Sequence, residues 1–195
     1  MADSRDADRR LVNGSSENQI SSALPAGMRI ERIVNDVGLP ASAILSLLKA
    51  AMGGDDTPPW PANQRWLLWY GDRLVAHVSA QQRWFVVHKQ YYEGWHIGGV
   101  CVHPGDQRRG IGTLLMEQAH TDLSRHELGF AVLNCGSSLV RFYQRVGYTK
   151  ISDRGMYLRD GELVIDADPA MTISLGQGFD VRVLRCQAFP FGFDF

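Results

Sequence analysis

The sequence predicts one α/β domain, a strand-rich sheet flanked by helices. Short stretches of period-two alternation such as MRIERIV and LVAHVSAQQRWFVV are interleaved with segments of helical spacing. A chain of 195 residues with 45% hydrophobic and 10% aromatic residues is sized for a single packed core.

The elements follow in order. Residues 1 to 27 are rich in Ser, Asp, Asn and Arg, lack hydrophobic periodicity and end in Leu24-Pro25-Ala26-Gly27, so they read as a disordered tail, with the folded domain over 28–195. Met28 to Val34 alternates apolar and charged positions like a strand. Ala41 to Met52 (ASAILSLLKAAM) is a helix that Gly53 and Gly54 stop. Beyond the loop GDDTPPWPANQ, Arg65 to Tyr70, the turn Gly71-Asp72 and Leu74 to Val87 form a long hairpin. His96 to Val102 is the next strand. Gly112 to Arg125 is a helix with Leu114, Leu115, Ala119 and Leu123 on one face. Phe130 to Asn134 is a short apolar strand, Ser137 to Val146 a further helix, and alternation resumes from Tyr148 to the closing FPFGFDF.

Composition narrows the function classes. With 20 basic and 21 acidic residues the net charge is −1, so no broad basic surface is available for a phosphate backbone and nucleic acid is not an expected partner. Cys101, Cys135 and Cys186 are odd in number and lack ligand spacing, which argues against a disulfide framework and against a metal site. A charged N-terminus without an apolar segment, and no apolar run near the ~18 residues of a membrane span, point to a soluble cytoplasmic protein with no membrane partner.

The most informative stretch is GGVCVHPGDQRRGIGTLLMEQAH, an apolar strand running into a Gly-rich turn that opens into an amphipathic helix. Unpaired N–H groups of the helix's first turn, its dipole, and the close backbone approach allowed by Gly110 and Gly112 make a seat for an anion. Arg108 and Arg109 either add charge-assisted contacts at its rim or are simply solvated. Neither GxxxxGK[ST] nor GxGxxG is present. Gln107 to Gly112 instead reads QxxGxG, and here the chain resembles the GNAT superfamily of N-acetyltransferases. The resemblance implies acetyl-CoA as cosubstrate and a mixed, mostly antiparallel central sheet, splayed at the acetyl-CoA strand and flanked by helices. It implies that Val100, Cys101 and Val102 hold the pantetheine arm through their backbone, and that Gln107, Arg108, Arg109, Gly110, Ile111 and Gly112 hold the pyrophosphate. Gly98 and Gly99 suit a β-bulge that would open the slot between strands; the other reading is flexible strand glycine.

Downstream, SSLVRFYQRVGY resembles the family's second hallmark through Phe142, Tyr143, Gly147 and Tyr148. Aminolysis of a thioester expels a thiolate that must collect a proton, and a neutral tyrosine with pKa of about 10 can give one. Tyr143 is therefore the expected general acid; the other reading is an aromatic packed in the core. The candidates for the base are His96, Glu93, Asp55 and Asp56. His96 shares a strand face with Gly98 and is expected to point into the slot, although a lone strand histidine is more often structural. Cys101 as a nucleophile is disfavoured, since no partner base is evident.

Within the superfamily the chain resembles the aminoglycoside 2'-N-acetyltransferases from about Ala50 onward. GGDDTPPW places Asp55, with Asp56 beside it, and Trp60 on that branch's substrate wall. AHVSAQQRWFVV matches its HxxxxQR segment at His77 to Arg83, and the closing FDF, with Asp194 and Phe195, is similar to its aromatic and acidic C-terminus. The implied function is acetylation of an aminoglycoside antibiotic at its 2'-amine, conferring resistance. The branch's acid on the CoA strand falls at Gly98, however, which opens the choice to a less cationic antibiotic such as kasugamycin. Trp60, Trp84, Trp95 and the FPFGFDF tail suggest walls around something small, so the expected acceptor is a small-molecule amine, with Gly98 and Gly99 as candidate substrate contacts at the slot. The alternatives are a polyamine, a protein amine, or a non-catalytic acyl-CoA-binding module, and an apolar C-terminal tail is compatible with a homodimer.

Overall fold

The computed structural model describes residues 24–53, 59–159, 161–176 and 178–193. Among the described residues, ten strands form two sheets. The larger runs β1 (Met28–Val34), β2 (Gln64–Tyr70), β3 (Arg73–Val87), β4 (Gln90–Val102), β5 (Phe130–Asn134), β9 (Ala170–Ser174) and β6 (Thr149–Ser152), in that spatial order. All its neighbours are antiparallel except β4 and β5. The smaller sheet runs β10 (Phe189–Phe193), β7 (Gly155–Arg159) and β8 (Glu162–Asp166). The expected α/β architecture with a mixed, mostly antiparallel sheet is what the chain adopts.

Helix α1 (Ala41–Met52) covers one face of the larger sheet, burying Ile44 and Leu47 against Leu67, Trp69 and Cys101. Helix α2 (Ile111–Leu123) covers the other, where Leu115, Met116, Ala119 and Leu123 recur at helical spacing and pack on Trp66, Leu68, Ala76 and Val78. Strand β2 is consequently covered on both sides, which is why WLLWY is a continuous apolar run rather than an alternating one.

The expected second helix over Ser137–Val146 is a 3-10 turn, Ser137–Leu139, followed by α3 (Val140–Arg145). Strand β4 starts at Gln90, six residues before the expected His96, because Gln90 to Trp95 pair with Gln82 to Val87 and extend the hairpin. The expected tail over 1–27 reaches too far at its end. Leu24 packs against the main core, the Gly71 N–H donates to the Gly27 carbonyl at 3.1 Å, and Met28 N–H closes a turn onto Pro25.

Two features create an opening in the sheet. Strand β5 pairs with β4 only at Trp95–Ala131 and His96–Val132, so the strands diverge beyond that point. The β3–β4 register shifts between His77 and Ser79, opposite Cys101 and Gly98, and Gly99 within the irregularity has φ +56°. The expected bulge is present. It also resets the side-chain alternation: Trp95 and Ile97 lie on the α2 face, and after the bulge Val100 and Val102 occupy that face again.

Candidate active site

A cleft of about 570 Å³ opens where β4 leaves β5. Its walls are the end of β4, the turn into α2, helix α3 and the C-terminal end of α1. Val100, Cys101 and Val102 form one side; Gln107, Arg108, Gly110, Ile111 and Gly112 form the floor of the turn.

The turn is built by local chemistry. Pro104 opens a 3-10 turn, and Gly110 at the N-cap of α2 is left-handed, with φ 78° and ψ −4°. No side chain caps the helix and no acid lies in its first turn, so the leading N–H groups and the positive end of the dipole face the cleft uncompensated. A Cβ at Gly110 would meet nothing within 4 Å, so that position is open to a ligand, whereas one at Gly112 would touch Phe142 and Val102 at 3.4 Å. This cradle fits the pyrophosphate of an acyl-CoA.

Two residues not singled out from the sequence stabilise the turn. Asp106 is buried and accepts from Arg73 Nη1 at 2.6 Å and from Arg109 Nη1 at 3.5 Å; the hydrogen bond from Arg73 leads the effects that hold its carboxyl below the usual range. Arg109 lies against Asp106 with most of its side chain exposed and is not among the residues lining the cleft, while Arg145 of α3 is. Because Asp106 and Arg73 are far apart in sequence, only folding brings them together.

Tyr143 lies on the wall at 5% exposure, with its ring edge-on to Phe142 and Tyr148. Burial, then the nearby Cys135 and Cys101 thiols, push its hydroxyl above the ordinary pKa of 10, so it stays protonated at physiological pH. Burial likewise pushes the Cys101 thiol up to about 12, the opposite of what a nucleophile requires.

The expectation for His96 is corrected. Its side chain does lie on the Gly98 face, yet that part of the face is sealed by the C-terminal strand. The Phe191 ring lies 5.3 Å from the imidazole, tilted at 45° to it, and His96, 5% exposed, does not line the cleft. Burial first, then Arg83, depresses its pKa to about 3. A base there has no path to an acceptor. Glu93 is no substitute: it accepts from Gln82 Nε2 at 2.7 Å and sits seven strand residues from Val100, about 23 Å away. Trp60 is 40% exposed and outside the cleft lining, with its carbonyl accepting from Arg65 Nη2; Gly98 and Gly99 are partly exposed at the bulge. Asp55, Asp56, Asp194 and Phe195 lie outside the described residues.

Comparison with known proteins agrees with this geometry. Residues 42–151 match the family model described as an acetyltransferase (GNAT) domain. Among solved structures, Escherichia coli ElaA is 19% identical with a TM-score of 0.56, over 75% of this chain and 99% of that one. An acyl-CoA N-acyltransferase from Pseudomonas aeruginosa is 18% identical with a TM-score of 0.55, over 75% and 99%. The ribosomal-protein-S18-alanine N-acetyltransferase from Escherichia coli is 16% identical with a TM-score of 0.54, over 78% and 99%. The chain spans only about a third of some larger matched structures, 33% of one from Enterococcus faecalis V583 and 32% of Eis1 from Mycobacterium abscessus. No curated protein matches the chain.

Proposed function

The chain belongs to the GNAT family of N-acetyltransferases, and from that premise we propose that it moves the acetyl group of acetyl-CoA directly onto the amine of a small molecule, with Tyr143 as general acid. The observation that carries this reading is the protonated Tyr143 hydroxyl in the wall of the same cleft that the phosphate cradle and bulged strand line.

Acetyl-CoA, when bound, supplies an activated thioester carbonyl. The N-terminus of α2 would hold its phosphates, with Arg108 and Arg145 at the rim. The backbone of Val100 to Val102 would align the pantetheine arm beside β4. Tyr143 Oη gives its proton to the departing thiolate as the C–S bond breaks, and regains one through solvent from the acceptor nitrogen as the C–N bond forms.

For the acceptor we read the 2'-amine of an aminoglycoside, with kasugamycin as the less cationic candidate and antibiotic resistance as the outcome in the cell. Support comes from the sequence segments GGDDTPPW and AHVSAQQRWFVV. Release of free CoA thiol with aminoglycosides, kasugamycin, polyamines and a basic peptide, followed by product mass, tests this. A gain of one acetyl on one antibiotic supports the reading, and acetylation confined to the peptide overturns it. CoA binding without turnover on any amine identifies a binding module.

A further inference from the structure

A chain of polar contacts, buried at Arg65 and His77, ends on the bulge of β4. Arg65 of β2 is 1% exposed and grips Asp36 with two nitrogens, Nε to Oδ1 at 2.6 Å and Nη2 to Oδ2 at 3.0 Å. Its third nitrogen, Nη1, lies 3.2 Å from His77 Nε2, and His77 Nδ1 lies 2.7 Å from the Gly99 carbonyl oxygen. A guanidinium can only donate and a carbonyl can only accept. His77 Nε2 must therefore be the bare nitrogen and Nδ1 must carry the proton. The neutral imidazole that this requires agrees with burial, which depresses the His77 pKa to about 4.

Gly99 is the residue whose carbonyl is captured. It is left-handed, and a Cβ on it would stand 2.8 Å from His77 Cε1, so ring and bulge are fitted to each other. The Gly99–Val100 peptide is trans and planar; pinning its carbonyl to His77 aims the Val100 N–H the opposite way, away from His77. Val100 lines the cleft, and β5 offers its N–H no ladder partner there, since β4–β5 pairing ends at His96–Val132.

We propose that His77, locked in its Nδ1–H tautomer by the Arg65–Asp36 pair, is a positioning residue that turns the Gly99–Val100 peptide so that the Val100 N–H faces the thioester carbonyl. The inference deepens the acetyl-transfer reading and rests on it. A preorganised donor aimed at the developing oxyanion is worth about 100- to 1000-fold in turnover, and loosening one forfeits part of that.

Two variants separate positioning from packing. Asn places an amide nitrogen where His77 Nδ1 stands, so His77→Asn keeps a donor for Gly99. Gln reaches the Nε2 position, so His77→Gln keeps a partner for Arg65 and loses that donor. His77→Gln should lower kcat about 10- to 100-fold, with KM for acetyl-CoA changed less than threefold, and His77→Asn should stay within about threefold of the parent. Unchanged kcat in His77→Gln, or equal losses in both variants tracking their loss in Tm, would overturn the proposal. A second readout does not depend on turnover. In the 15N–1H spectrum the Val100 amide proton should move downfield with acetyl-CoA relative to CoA in the parent, and not in His77→Gln. That shift without acetylation of any amine would leave the positioning role standing and sink the acetyl-transfer reading; no shift in the parent sinks the positioning role itself.

Discussion

The side-chain amide of Gln107 donates to the Val102 carbonyl at 3.1 Å, so the first residue of the phosphate turn is tied back to the last residue of the strand it follows. This bond spans the 3-10 turn at Pro104–Asp106 and sets the distance from β4 to the N-terminus of α2. Gln107→Ala should loosen that spacing, raising KM for acetyl-CoA about three- to tenfold with kcat within twofold, since a neutral hydrogen bond is worth about 1 kcal/mol. Steady-state kinetics at saturating amine checks it.

Gly110 separates backbone strain from ligand exclusion. Because a Cβ there meets no protein atom, Gly110→Ala should cost only the left-handed conformation, about 1–2 kcal/mol in urea unfolding. Gly110→Asp adds a carboxylate where phosphate docks and should lower acetyl-CoA affinity more than 100-fold by calorimetry, well beyond the alanine variant. Equal affinities in the two variants would remove the turn as the anion seat.

Tyr143→Phe should reduce kcat about 100-fold while leaving Kd for acetyl-CoA within twofold, as expected for loss of a general acid. Since burial raises the hydroxyl's pKa, the parent should show no alkaline fall in kcat from Tyr143 ionisation up to pH 10. A titration of kcat near pH 9 that disappears in Tyr143→Phe would contradict the buried, protonated hydroxyl.

His96, His77 and His120 are held neutral by burial, at about 3, 4 and 4 against an ordinary 6.5. A histidine depressed in the folded state takes up its proton on unfolding. The stability it confers is therefore complete above pH 6.5 and lost as pH falls toward 3–4. Thermal unfolding should accordingly show Tm dropping steeply between pH 6.5 and 4. His96→Leu should shallow that slope and keep acetyl transfer within about threefold, because Phe191 and not the cleft covers the ring. A large loss of kcat at unchanged Tm would restore His96 to the chemistry.

The turn into α2 was legible because it is local. QRRGIG places a glycine at the left-handed cap and a bare helix start within six residues, and Gly98-Gly99 marked the bulge in the same way. Strand alternation and helical spacing likewise placed β1, α1 and β5 where the structure has them. The reading of His96 turned on a partner remote in sequence. Alternation put His96 on the correct face, but only the return of Phe189–Phe193 across that face decided that the residue is sealed from the cleft. Arg109, read as a phosphate contact or a solvated side chain, lies 3.5 Å from Asp106, a carboxylate that Arg73 holds from 33 positions away in sequence.

What the sequence determined by itself, then, is the family and the glycine-capped turn that opens α2, since turn conformation, helix polarity and motif spacing are properties of adjacent residues. The tertiary structure alone decided which charges are spent internally and which backbone groups face the cleft. The Asp36–Arg65–His77–Gly99 chain joins a loop and three strands, and its tautomer follows only when folding sets His77 between a guanidinium that can only donate and a carbonyl that can only accept.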